Sequence, residues 1–246
     1  KGINGSARGR VGIFVHSKSA EHEKLKAMIL AAGLGKRMLP LTNTVPKPLL
    51  QIHGKSLIEY HLDALQKAGV TEFVINVSHL GSLIEEALGS GASRGIEIRY
   101  SREPVPLETA GGILHALPLL KAGQSANDAF LVVGGDVYTD FDFSQLMESG
   151  CSANAKLIMV DNPTHHPLGD FAIGANGYLE SQGELLTFST IALYRPAFFD
   201  GLRKGVVMLR ELFDANLDQQ TMAAEHFSGH WSDVGTPDRL EELNRE

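Results

Sequence analysis

Apolar and polar positions along this chain fall into short, well-separated blocks. "KAMILAA" (26–32) is an apolar run closed by glycine, the pattern of a buried strand. "SLIEYHLDALQKAG" (56–69) carries its apolar residues at helical spacing. Ser56 followed three residues later by Glu59 predicts a capping box, and Gly69 marks the stop. "EFVINVS", "IEIRYSRE" and "AFLVVGGD" read as further strands, "LGSLIEEALGSG" and "AGGILHALPLL" as the helices between them. Strand and helix alternating in this way predict a parallel sheet covered by helices. After Asp140 the pattern changes: "AKLIMVD", "DFAIGANGYLE" and "LLTFSTIALYRP" read as strands, with an Asn-Gly turn at 176–177, and "RLEELNRE" as a last helical piece. The expectation is an α/β protein: a Rossmann-like three-layer α/β/α arrangement around a mostly parallel mixed sheet, with a smaller β-rich lid. One domain would span 26–246, changing character between 142 and 143.

The first 25 residues, rich in Gly, Ser, Lys and Arg around a short "VGIFV" island, read as a flexible leader or an expression remnant, with an added strand as the alternative. They lack the apolar core and cleavage site of a signal peptide. No apolar run approaches the roughly 20 residues of a membrane span. A single cysteine, Cys151, excludes an intramolecular disulfide and a cysteine zinc cluster, and fits a cytoplasmic setting. The formal net charge of −7 argues against nucleic acid as the main partner, while leaving room for a locally basic pocket that takes a small anion. The oligomeric state is left open, a monomer being compatible.

Three signals converge on one edge of the expected sheet, the carboxyl edge where open parallel sheets bind ligands. A glycine loop, Gly33-Leu34-Gly35, follows the first strand, "TAGG" the third and "GGD" the fourth. The loop is neither a Walker A motif nor a dinucleotide fingerprint, because Met38 stands at the third glycine position. It still lets backbone N–H groups approach anionic oxygens, and Lys36 and Arg37 add charge; a plain strand-to-helix turn is the alternative. In "VPKPL", Pro46 and Pro48 are expected to present Lys47 from a stiff, extended segment, and a compact ammonium suits a phosphate. Asp136 follows an apolar strand and Asp233 sits in "GHWSDVGT". Two such carboxylates suffice for a Mg²⁺ whose shell is completed by phosphate and water. Asp140 and Asp142 read as turn or helix-start residues. This set suits a phosphorus centre, where transfer depends on positioning and charge stabilisation more than on a base.

"LAAGLGKRM", "PKPLL", "LETAGGI", "GGD" and "WSDVGT", in this order, resemble the sugar-1-phosphate nucleotidyltransferases over nearly the whole chain after the leader. "EPVPLETAGGI", "VDNPTHHPLGDF" and "EHFSGHWSDVGT" narrow the resemblance to uridylyl-transferring members of peptidoglycan recycling. The resemblance implies an enzyme that takes UTP and a sugar 1-phosphate, with Mg²⁺. It implies a nucleotide-binding half, 26–142, and a sugar-binding half, 143–246. By the same resemblance Leu30, Ala31, Ala32, Gly33, Leu34, Gly35, Lys36 and Arg37 wrap the nucleotide, with Arg37 on the phosphates. Thr109, Ala110 and Gly111 approach base and ribose, and His79 is a further candidate for that pocket. Lys47 meets the sugar phosphate or the α-phosphate, and Asp136 and Asp233 hold the metal. Gly169, Asp170 and, less directly, Glu184 meet the sugar.

The chain departs from the family pattern at Leu39, where arginine is common, at Gly135, where asparagine is common, and at Thr190, where glycine is expected on the sugar side. No hexapeptide-repeat tail follows "DVGT", which points to a stand-alone transferase. His165 and His166 are candidates for a substrate or metal, or are loop residues. His230 reads as structural, Tyr138 stays undecided, and Cys151 has no base nearby to make it a nucleophile. Guanylyl transfer to mannose 1-phosphate, or thymidylyl or uridylyl transfer to glucose 1-phosphate, is the related alternative. A non-catalytic nucleotide-sugar sensor is the alternative of another class.

Overall fold

The computed structural model describes residues 25–125, 128–149 and 153–246. The leader up to residue 24 and Cys151 lie outside the described residues. Seven strands form the central sheet: β1 (Lys26–Leu30), β2 (Glu72–Val77), β3 (Glu97–Arg102), β4 (Phe130–Gly134), β5 (Ala155–Val160), β6 (Thr187–Tyr194) and β7 (Met222–Phe227). Their order is β7-β5-β6-β4-β1-β2-β3. β4, β1, β2 and β3 run parallel to one another, as do β7 and β5; β6, between the two groups, runs antiparallel to both β4 and β5. Most strands read in the second half thus join the central sheet. What stands apart there is a small hairpin, Ala172–Ile173 with Leu179–Glu180, around the expected Asn-Gly turn.

Alternation along the strands splits the core into two layers. Ala27, Ile29, Phe73, Ile75, Leu131 and Val133 face helices α1 (Leu57–Lys67) and α2 (Gly81–Leu88). Met28, Val74, Phe130 and Val132 face α3 (Glu108–Lys121) and α5 (Leu209–Asn216), the short α4 (Ser144–Ser149) intervening in the chain. Burying both faces of a parallel sheet requires near-continuous apolar strands, which is why these segments stood out in the sequence. α1 begins at the capping box read from Ser56 and Glu59, with the Ser56 N–H donating to Glu59 Oε2 at 3.2 Å.

A third, smaller cluster lies under the glycine loop. Met38, Leu50, Ile52 and Leu57 pack with Val234 and Leu243, the last from α6 (Pro237–Leu243). Met38, the residue that spoils the dinucleotide fingerprint, is an anchor with no exposed surface. Strand register sets the stage for the site. Leu30 pairs with Asn76 on one side and Gly134 on the other, so three strands end in one row.

Candidate active site

Above that row opens a cleft of about 520 Å³ lined by Leu30 through Arg37, Lys47, Asn76, Glu103, Thr109, Asp136, Thr190 and Gly235, among others. A second hollow of about 340 Å³ adjoins it, lined by Asp170, Phe171, Phe188, Tyr194, Arg210 and Phe213. Leu30, Glu108, Thr109 and Thr190 line both.

The glycine loop is held from beneath. Ala31 N–H donates to Asn76 Oδ1 at 2.8 Å. Asn76 Nδ2 donates to Glu103 Oε1 at 2.7 Å, and Leu107 N–H to Glu103 Oε2 at 2.9 Å. Asn76 and Glu103 are 4 % and 5 % exposed, so this is a satisfied buried network tying β1, β2, β3 and the start of α3 together. Neither residue was singled out in the sequence. The signal for them was a polar residue closing an apolar strand and an acid just past another. Gly35 adopts φ 62°, and a Cβ there would meet Thr42 Cγ2 at 2.8 Å. Gly33 faces open space, and Arg37 and Lys36 stand exposed at the mouth.

Lys47 does not come from an extended segment. It opens a single 3₁₀ turn, Lys47–Leu49, closed by Leu50 N–H donating to the Lys47 carbonyl at 3.0 Å. The restriction a proline places on its predecessor is a bias, and here the turn's hydrogen bonds override it. The extended geometry belongs to Pro46, at φ −64° and ψ 141°. The Lys47 side chain is 11 % exposed and its ammonium is paired with Asp136 Oδ2. Burial would push the Asp136 carboxyl up. The Lys47 ammonium, the Asp136 backbone N–H and the nearby His61 together outweigh it and hold the group below the usual carboxylate range.

A short ribbon brings the backbone at Asp136 beside the segment that carries Asp233. Val137–Thr139 pairs antiparallel with Trp231–Asp233, Asp233 lies opposite Val137, and Val234 N–H donates to the Asp136 carbonyl at 2.8 Å. Asp233 itself sits beside the cleft, paired with Arg239 and 2.8 Å from His165 Nε2. Among the described residues no three His, Cys, Asp or Glu side chains cluster as a metal site. The donor chemistry still suits a hard divalent cation: two carboxylates at the ends of neighbouring segments, now paired with Lys47 and with Arg239, with phosphate and water as the remaining ligands.

The other candidates are dispersed. Thr109 lines the cleft, but Ala110 and Gly111 are buried. Glycine is demanded at 111 by the chain itself, since a Cβ there would stand 2.2 Å from the Gly205 carbonyl oxygen. His79 and Glu184 are exposed and line neither cavity. Asp170 lines the second hollow, where it accepts the Phe188 N–H at 2.9 Å; Gly169 stands next to it without lining the hollow. Gly135, a departure from the family pattern, lies so close to Leu30 that a Cβ would stand 2.6 Å from its carbonyl. Asp142 is a helix-start residue, its Oδ1 accepting the Ser144 N–H at 3.1 Å. Tyr138 packs edge-on against Tyr60 and His230.

His61, also unremarked in the sequence, lies buried on α1 behind the Asp136 turn. Burial lowers its pKa to about 4, against the opposing pull of the Val137 carbonyl, Asp136 and the Gly134 carbonyl. The folded protein therefore holds this ring neutral where an unfolded chain would protonate it. Its stability contribution is intact above pH 6.5 and declines as pH falls toward 4. Between pH 7.5 and 5 the loss amounts to about 2 kcal/mol from this group. Urea unfolding at the two pH values checks it, the difference shrinking by that amount in His61→Gln.

The family model for nucleotidyl transferases matches residues 26–173, and the chain belongs to the nucleotidyl transferase family. It is 48% identical over 227 residues to the N-acetylmuramate alpha-1-phosphate uridylyltransferase of Neisseria meningitidis serogroup B, covering 89% of this chain and 96% of that protein. The mannose-1-phosphate guanylyltransferase catalytic subunit beta of Dictyostelium discoideum is 30% identical, and the match spans 62% of its length. A Bacillus anthracis structure, assigned as a glucose-1-phosphate thymidylyltransferase and holding sucrose, superposes with a TM-score of 0.76 at 22% identity, covering 90% of this chain and 94% of the other.

Proposed function

We infer that this chain is a uridylyltransferase that joins UTP and N-acetylmuramate α-1-phosphate into UDP-N-acetylmuramate and pyrophosphate, in cell-wall recycling. The observation that carries the reading is the 48% identity to the Neisseria enzyme over nearly that protein's full length. The cleft supports the chemistry. The exposed backbone of Gly33-Leu34-Gly35 and the Arg37 guanidinium are the groups offered to a triphosphate. An oxygen of the sugar phosphate attacks the α-phosphorus, and the bond to the pyrophosphate oxygen breaks. The nucleophile is already ionised near pH 7, so no side chain has to remove a proton. Lys47 offsets the negative charge that gathers at the reacting phosphorus and is held there by Asp136. Asp136 and Asp233 would hold Mg²⁺, which when bound neutralises phosphate charge and orients the phosphates. Thr109, Asp170 and Thr190 border the space for ribose and sugar.

The test is pyrophosphate release with Mg²⁺, crossing UTP, dTTP, GTP and ATP with the 1-phosphates of N-acetylmuramate, N-acetylglucosamine, glucose and mannose. Turnover concentrated on UTP with N-acetylmuramate 1-phosphate is the expected result. A different preferred pair overturns the substrate and keeps the chemistry. Nucleotide binding without turnover on any pair points to a sensor.

A further inference from the structure

His165 and His166 are adjacent in the loop that follows β5, yet their rings turn to different acids. His166 faces Asp170, 3.3 Å away. His165 crosses to Asp233, and its Nε2 stands 2.8 Å from Oδ1. Arg239, in the first turn of α6, reaches the same oxygen and also donates from Nη1 to the Asp233 carbonyl at 2.8 Å. Nη1 lies 2.9 Å from His165 Nε2, so imidazole, guanidinium and carboxylate converge on Oδ1. The protons of Nη1 are taken by the Asp233 carbonyl and Oδ1, which leaves the His165 ring to donate to Oδ1 as well. The arginine is pre-set for this contact. Its backbone N–H and its Nε both donate to Thr236 Oγ1 at 3.4 Å. Its guanidinium lies so close to Gly235 that a Cβ there would stand 2.5 Å from Nη2. No left-handed backbone asks for glycine at 235; the guanidinium does. The other oxygen, Oδ2, lies on the Gly235 side, 3.1 Å from the same Cβ position, and Gly235 lines the cleft.

We propose that Arg239 and His165 are positioning residues for Asp233: together they hold its carboxylate by Oδ1 and so present Oδ2 to the divalent cation of the transfer reaction. An aspartate side chain turns about two bonds, and ordering it costs conformational entropy. Two donors on one oxygen remove that freedom before the cation arrives, as the outer partners of metal ligands do. The donors are independent supports, since His165 comes from the loop before the small hairpin and Arg239 from α6. The positive charge of Arg239 by itself opposes a cation. Its contribution is therefore the fixed geometry of the guanidinium fork, which a lysine ammonium at the same position lacks. The inference rests on the transferase reading and deepens it by naming what holds one of its two carboxylates in place.

The experiment measures UTP binding by calorimetry with no sugar phosphate present, first in EDTA and then with Mn²⁺, on the wild type, His165→Ala and Arg239→Lys. The factor by which Mn²⁺ tightens UTP binding is the readout, and thermal unfolding in EDTA is recorded beside it. Arg239→Lys keeps the charge and gives up the fork, so it separates geometry from charge. The wild type's turnover in the substrate panel decides the transferase reading; the variant-to-wild-type ratio of the Mn²⁺ factor decides this one. The expected result is a fall of about tenfold in that factor in each variant, with UTP binding in EDTA within about twofold of wild type. The Mg²⁺ concentration for half-maximal pyrophosphate release rises by a similar factor, and kcat at saturating Mg²⁺ changes less. A factor unchanged in both variants makes the contacts structural and overturns the proposal, whatever happens to the unfolding temperature. A factor that grows in either variant overturns it too, because the side chain would then be competing with the cation for Asp233. So does a wild type whose UTP binding Mn²⁺ leaves unchanged.

Discussion

Replacing Lys47 with alanine is expected to lower kcat/KM by a factor of about 10³ or more while leaving a folded protein. That factor corresponds to about 4 kcal/mol of transition-state stabilisation, the range of a preorganised charge in a partly desolvated site. Two effects combine in it. The positive charge at the reacting phosphorus is gone, and Asp136 loses the partner that holds its carboxyl below the usual range. Burial then pushes that carboxyl up. The residual rate of Lys47→Ala should therefore rise with pH over a range where the wild type is flat. Initial rates of pyrophosphate release between pH 5 and 8 check both parts. Undiminished turnover would remove Lys47 from the mechanism.

Asp136→Asn carries the second large effect, again about 10³ in kcat/KM, with a different signature. The amide keeps the shape and loses the charge, so the residual rate gains no acid limb from residue 136. Lys47, with 11 % of its side chain exposed, is left without its counter-charge. Breaking a fully buried pair costs about 3–5 kcal/mol, and the 36 % exposure of Asp136 reduces this to about 1–3 kcal/mol. Denaturant unfolding of the single and double variants measures it. The double variant should be less impaired in stability than the two singles added, because the two side chains act as one unit. Wild-type turnover in Asp136→Asn would rule out its carboxylate as a needed ligand.

The first half of the fold was legible because its strands are buried on both faces, so their apolar runs are nearly continuous, and because Ser56 and Gly89 mark helix ends. β7 escaped because it lies at the sheet edge, where Glu225 and His226 are exposed and the apolar run breaks after Ala224. α5 is only eight residues long, and no side-chain cap announces it. Within the site, chemistry carried by short motifs could be read: the glycine loop, Lys47 and Asp136 do share one cleft. What could not be read depends on contacts across the chain. Nothing local in "TAGG" says that Gly111 serves the Gly205 carbonyl, or that Asn76 and Glu103 join under the loop. The approach of the Asp136 turn to the segment that carries Asp233 likewise rests on a ribbon between remote parts of the chain.

The antiparallel strand β6 has a consequence for how this chain is made. β4 is complete at residue 134, yet one of its edges stays bare until Thr187–Tyr194 has been synthesised. A nascent chain leaving the ribosome thus exposes the open edge of a strongly apolar strand for more than fifty residues of translation. Cutting the protein between its halves would make that transient state permanent. A fragment ending at residue 142 should aggregate when expressed alone and become soluble when the remainder is supplied in the same cell.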